Sequence, residues 1–127
     1  MYKFRKKISL SVPKRIDLKI IKFLLPEMIP NIYIEGFKEQ KKFAEESHLP
    51  KKCQKIFTSQ AFVDNLFKFW VASQINKGAK IFYGQHGAGY SLYKNNYFFY
   101  KFEKEISTKR FTWGSSLDKT KEVNVGN

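Results

Sequence analysis

Cysteine is all but missing from this chain: Cys53 is the single thiol in 127 residues. No internal disulfide can form, and a reducing compartment, the cytoplasm, is expected. Long apolar runs are missing too. The most apolar stretch, Ile16 to Leu25, is interrupted by Asp17, Lys19 and Lys22 and closed by Pro26, which excludes a membrane span there. The basic start, Met1 to Lys7, is followed only by Ile8, Leu10 and Val12 alternating with Ser, too little for a secretory signal. Arginine is scarce: Arg5, Arg15 and Arg110 are the only three among 24 basic residues, although the net charge is +13. Base-edge readout and bidentate phosphate recognition favour Arg over Lys, so specific nucleic-acid binding is not expected. Lysines scattered along the chain read as solvated surface, with a lean toward anionic partners such as nucleotides or the inner face of an anionic membrane. Histidine occurs twice, and no second His, Cys or carboxylate lies at metal-ligand spacing from His86, so neither a metal nor a cofactor is expected.

What is present is apolar and aromatic. Hydrophobic residues make up 43% and aromatics 17% of the chain, which excludes disorder and suits about one domain. The alternation Ile8, Leu10, Val12 fits an edge strand or an arm. Asp17 can cap a helix to about Leu25, and Ile34, Phe37 and Phe43 give the stretch from Tyr33 to Ser47 a thin helical stripe. Residues 1–50 thus read as a basic arm and a helical segment.

Residues 51–116 carry the clearest pattern. Lys55 to Ser59 is a short strand, with Thr58 or Ser59 able to cap the helix that follows. Val63, Leu66, Phe67, Trp70, Val71 and Ile75 recur on one helical face over 61–77, and Gly78 supplies the stop. Ile81 to Tyr83 is a second strand, so strand, helix and strand form a βαβ unit with parallel strands and a right-handed crossover. A helix over about 96–106 and a third strand, Arg110 to Trp113, complete an α/β fold with a small parallel sheet of about three strands. Residues 117–127 read as a frayed polar tail.

The second strand ends in Gly84-Gln85-His86-Gly87-Ala88-Gly89-Tyr90. In parallel α/β sheets, ligands sit outside the carboxyl ends of the strands, and glycines allow close backbone approach. The spacing is neither the dinucleotide fingerprint nor a Walker A motif, so a bare βα turn competes with a phosphate cradle. The imidazole of His86 can accept a proton from a hydroxyl or, when charged, bind phosphate. Thr58 and Ser59 lie on the same sheet edge and can either cap the following helix or bind phosphate together with its N-terminal N–H groups. Glu103 and Glu105 are two apart and cannot share one helical face, so at most one points into a site built around the loop, and both read more simply as solvated helix charges. Trp113 can stack on a base or sugar, or sit buried at its strand end.

Ile56-Phe57-Thr58-Ser59, the helix with Lys68 and Trp70, the run Tyr83 to Tyr90, and Phe111-Thr112-Trp113-Gly114 after an acidic helix together resemble a bacterial family of surface-carbohydrate biosynthesis transferases, similar in layout to GT-B glycosyltransferases. The resemblance covers about residues 50–116 and departs from the family pattern at Ala88 and Thr108. It implies a Rossmann-like donor-binding half in which a nucleotide-activated sugar, as substrate, lies across the strand ends. Gln85, His86, Gly87 and Gly89 would line that site, His86 would be the catalytic base or phosphate contact, and Glu103 would reach ribose or sugar hydroxyls. A GT-B enzyme needs two such domains, so the resemblance also implies a fragment completed by an N-terminal domain or a second polypeptide. The competing expectation is a non-catalytic basic module that binds nucleic acid or an anionic membrane surface.

Overall fold

A computed structural model describes residue 5 and residues 16–60, 63–87, 97–114, 116 and 118–126. The alternation at 8–12 lies outside them. The chain divides into two compact units, Met1–Phe43 and Ala44–Asn127.

In the first unit, helix α1 (Ile16–Met28) runs through Pro26, where the sequence predicted its end. Proline removes one helical donor, and the last-turn carbonyls of any helix lack intrahelical partners. Arg5 meets that need. Its Nη1 donates to the carbonyls of Pro26 and Glu27, placing a cation at the negative end of the helix dipole. Its Nε and Nη2 fork onto Glu35 at 2.7 and 2.9 Å. That hydrogen bond from Arg5 holds the Glu35 carboxyl below its ordinary range. A short 3-10 turn, Asn31–Tyr33, precedes α2 (Phe37–Glu46), so the helix expected from Tyr33 starts later. Phe37 and Phe43 are exposed, and the buried residue of α2 is Ala44.

The second unit is an α/β Rossmann-like sheet with flanking helices. Strands β1 (Lys55–Thr58), β2 (Lys80–Gly84), β3 (Lys109–Trp113) and β4 (Glu122–Gly126) lie in the order β1-β2-β3-β4, all parallel. β4 corrects the frayed-tail reading: residues 122–126 form a fourth strand. Helix α3 (Asn65–Asn76) joins β1 to β2, and α4 (Tyr97–Ile106) joins β2 to β3. Asp64, not Thr58 or Ser59, caps α3, its carboxylate accepting from the Phe67 N–H at 2.7 Å. Gly78, at φ 91°, ends α3 as expected. The Gly78 N–H donates to Ile75 O and the Ala79 N–H to Gln74 O, the paired bonds of a Schellman stop. The buried face of α3 is Phe69, Trp70, Val71 and Gln74, whereas Val63 and Ile75 are exposed. Gln74 is buried because the connector before β1 satisfies it. Its Oε1 accepts from the Cys53 N–H at 3.2 Å and its Nε2 donates to Lys51 O, while Trp70 Nε1 donates to Pro50 O at 2.8 Å.

The sheet has one buried face. Ile56, Ile81, Tyr83, Arg110, Thr112 and Glu122 alternate onto it, and Glu103 of α4 meets Arg110 there, so this face lies under α4. Arg110 is the centre of that layer. Its Nε lies 3.2 Å from Glu103 and its Nη1 3.1 Å from Glu122, with all three side chains at most 2% exposed. The guanidinium also sits 4.9 Å from the centre of the Tyr100 ring. Burial, then the hydrogen bond to Glu122, push the Tyr100 hydroxyl above its usual range. Behind this layer Lys104 pairs with Asp118 at 2.6 Å, tying α4 to the turn before β4.

Removing Arg110 leaves two buried carboxylates facing each other. Arg110→Ala is expected to cost about 3–5 kcal/mol, read as a lower urea midpoint at constant slope. A triple replacement of Arg110, Glu103 and Glu122 by apolar residues of similar volume should cost much less. If the single and triple variants unfold alike, the triad does not carry the sheet. Asp118 gives the acid side. The hydrogen bond from Lys104, then those from Thr120, hold its carboxyl far below the usual range. A depressed carboxyl stabilises the fold above its unfolded-state pKa of about 4 and loses that contribution as pH falls toward the folded-state value. The Tm gap between the native chain and Asp118→Asn should therefore be widest near neutrality and narrow progressively below about pH 4; a gap that stays constant down to pH 2 refutes this.

Candidate functional site at the strand carboxyl ends

The carboxyl ends of three neighbouring parallel strands place Thr58 to Gln60, Gln85 to Gly87 and Trp113-Gly114 along one sheet edge. This gathers Thr58, Ser59, Gln85, His86 and Gly87 as the sequence suggested. Gly89 lies outside the described residues.

Gln85 holds the β2 loop to β3. Its backbone N–H donates to Phe111 O at 2.8 Å, its Oε1 accepts from the Trp113 N–H at 3.0 Å, and its Nε2 donates to Gly87 O at 3.2 Å. The amide thus fixes the loop before any ligand arrives. Gly87 needs to be glycine for its backbone: φ is 82°, with nothing within 4 Å of where a Cβ would stand. Gly84 is glycine for space, since a Cβ there would lie 3.0 Å from Cζ of Phe57, whose ring covers it.

His86 is exposed, and its Nε2 lies 2.6 Å from Nε2 of Gln60. Gln60 was not singled out in the sequence. Its signal was position, the third of three polar residues, Thr58-Ser59-Gln60, at a strand's carboxyl end. Its own N–H donates to Thr58 Oγ1 at 3.2 Å, which turns the chain toward β2. If the Gln60 amide donates, it occupies the lone pair of His86 Nε2. If the amide is turned so that its oxygen accepts, Nδ1 keeps a lone pair able to take a proton.

Two expectations meet a different geometry. The first-turn donor of α3 at Phe67 is already satisfied by the Asp64 carboxylate, so that helix end presents an anion where a phosphate was expected. Glu103 is neither a solvated charge nor at this edge. It is 0% exposed against Arg110, which lies three residues, or roughly 10 Å of strand, before Trp113. A cleft of about 270 Å³ is lined by Tyr100, Lys101, Lys104, Glu105, Asp118, Thr120 and Lys121, away from the strand carboxyl ends, and the Lys104–Asp118 pair crosses its wall. Among the described residues no group of three or more His, Cys, Asp or Glu is placed to hold a metal, and no helix is long and apolar enough to cross a membrane.

A parallel α/β sheet with flanking helices, carrying a histidine and a glycine turn at its strand ends, is a Rossmann-like arrangement. The match to the family described as LIC12162 family transferase runs over residues 2–127, and the chain belongs to that family of transferases. Comparison with curated proteins and with solved structures gave no match.

Gly87→Ala should cost about 1–2 kcal/mol through its left-handed backbone alone, whereas Gly84→Ala needs only a shift of the Phe57 ring and should cost less. Urea unfolding of both ranks them; the reverse order would contradict the loop geometry. Gln85→Ala should speed amide exchange at Trp113, which loses its acceptor, and leave Thr112 unchanged.

Proposed function

We propose that this transferase acts on a nucleotide-activated sugar, held across the carboxyl ends of β1, β2 and β3, and passes the sugar to a surface-polymer acceptor. The observation that carries the reading is the meeting of His86 with Gln60 at 2.6 Å above a loop that Gln85 fixes to β3. A base needs a defined position more than it needs strength, and this pair supplies one.

In the transfer, the acceptor hydroxyl oxygen attacks the anomeric carbon. A new C–O bond forms there, and the bond to the donor's phosphate oxygen breaks. The hydroxyl proton passes to the free nitrogen of His86, and the nucleoside phosphate leaves with the electron pair. Backbone N–H groups of the glycine loop stabilise the charge that develops on that leaving group. Thr58, the last residue of β1, and Ser59 just after it contribute hydroxyls, and the exposed Trp113 offers a ring to the base or sugar. Glu103, in this reading, acts only through the sheet that it stabilises. The acceptor half comes from another domain or polypeptide, at an anionic membrane face.

An amide-resolved NMR titration with UDP, CMP, CDP and GDP sugars at physiological salt tests this, with a short DNA duplex as competitor. Saturable shifts at Thr58 to Gln60 and Gln85 to Gly87 for one nucleotide are expected. His86→Ala should weaken that binding at least tenfold if the imidazole contacts phosphate. If it serves only as base, binding should persist and transfer should fall by about 10²–10⁴. Shifts that are diffuse, salt-sensitive and seen with DNA alone would sink the reading in favour of a basic binding module.

A further inference from the structure

Among the described residues of the second unit, none is seated on the second face of the sheet. Successive right-handed crossovers that step in one direction place their helices on one side, and the order β1-β2-β3-β4 steps in one direction throughout. Arg110 and Glu103 identify that side as the buried one. The other side carries Phe57, Phe82, Phe111, Trp113 and Val123, which alternate with the buried residues; Phe57 stands opposite Phe82 and Phe111 opposite Val123 in register, while Phe82 faces Lys109 and Phe111 faces Gly84 across the middle pair of strands. Phe57 is 70% and Trp113 52% exposed. Phe111 lies 5.9 Å from Phe57 and 6.4 Å from Phe82, ring centre to ring centre, so the rings close into a continuous apolar floor. All-parallel sheets are otherwise found covered on both faces, normally by helices.

Charge identifies what suits this floor. Lys55 and Lys80 lie on the same face, two residues before Phe57 and Phe82, directly opposite one another and exposed. Like charges in lateral register repel, and carboxylates laid over them would turn that cost into attraction. Lys109, on the same face one step further along, donates its Nζ to Thr120 O. A second copy of the chain would bring its own +13 against these lysines. A base-stacking platform would want rings spaced for bases and basic groups along a strand path, whereas here the rings pack on one another and the exposed Lys55 and Lys80 sit at one end.

We infer that this face is the docking site of an amphipathic polypeptide helix. Its apolar stripe lies on Phe57, Phe82, Phe111 and Val123, and acidic side chains at one end cover Lys55 and Lys80. The site lies on a sheet face and shares only Trp113, at its border, with the strand-end residues of the nucleotide-sugar reading.

The test uses the full chain and a fluorescein-labelled, Trp-free peptide of about 18 residues, a length that gives five helical turns. It carries Leu at i, i+3, i+4 and i+7 spacing and Glu flanking one end of the stripe. A second peptide has Lys in place of each Glu. Saturable anisotropy is expected with the Glu peptide at physiological salt, at least tenfold tighter than with the Lys peptide, together with a blue shift of tryptophan emission that Trp113→Phe removes. Phe57→Ser/Val123→Ser should weaken binding at least tenfold, and both positions are exposed enough for the fold to tolerate the change. Lys55→Glu/Lys80→Glu should reverse the preference, so that the Lys peptide binds more tightly than the Glu peptide. Equal binding of both peptides, no binding, self-association in ultracentrifugation that Phe57→Ser abolishes, or oligouridylate binding that depends on Phe57 would each overturn the inference.

Discussion

The guanidinium of Arg110 is the constraint that the sheet is built around. A cation with 2% of its side chain exposed needs compensation, and it receives it from Glu103 on α4 and Glu122 on β4, with the Tyr100 ring alongside. This explains why β4 exists where the sequence looks like a tail. The strand is short and mostly exposed, and its one buried residue is the glutamate that Arg110 needs. Arg5 has the same role in the first unit, where its fork on Glu35 and its bonds to the carbonyls of Pro26 and Glu27 close α1. Both described arginines are thus spent inside the protein. Among the described residues, the charge available to partners is carried by lysine, which suits electrostatic attraction better than bidentate recognition.

The βαβ order was legible because each element announces itself locally. Helix α3 has an apolar face and a glycine at its C′ position, and β2 is an apolar run that stops at a glycine. The loop at 84–87 was legible as a turn at a strand's carboxyl end, because the apolar run of β2 stops there at Gly84. Other features depend on partners far away in sequence. Glu103 looks like any helix glutamate among lysines until Arg110 and Glu122 are set beside it. Glu122-Val123-Asn124-Val125 does alternate, but its buried member is charged, which hides a strand from a pattern built on apolar burial. Pro26 reads as a stop because the residue that satisfies the carbonyls beyond it is Arg5, more than twenty positions earlier. Asp64 competes with Thr58 and Ser59 as a cap, and three-dimensional spacing decides among them.

The candidate site at the strand ends rests on rigidity. Gln85 binds β3 and Gly87 at once, so His86 is presented on a loop whose position is set by the sheet. Gln60 then approaches from β1, and the imidazole is held between two strands that belong to the same parallel layer. The chain belongs to a transferase family, and the geometry indicates which side chains stand at this edge.

The position of Glu122 also has a consequence for the timing of synthesis. Domains fold as the chain emerges, amino-terminal parts first, and β1, α3, β2, α4 and β3 are all made before residue 122 appears. Until then Arg110 has Glu103 alone, and the nascent sheet cannot bury its cation with both carboxylates in place. Closing the layer is therefore a late event on the ribosome. Any premature stop before Glu122 would release a chain that has its glycine loop and its histidine, yet lacks the residue that completes the charge balance beneath them.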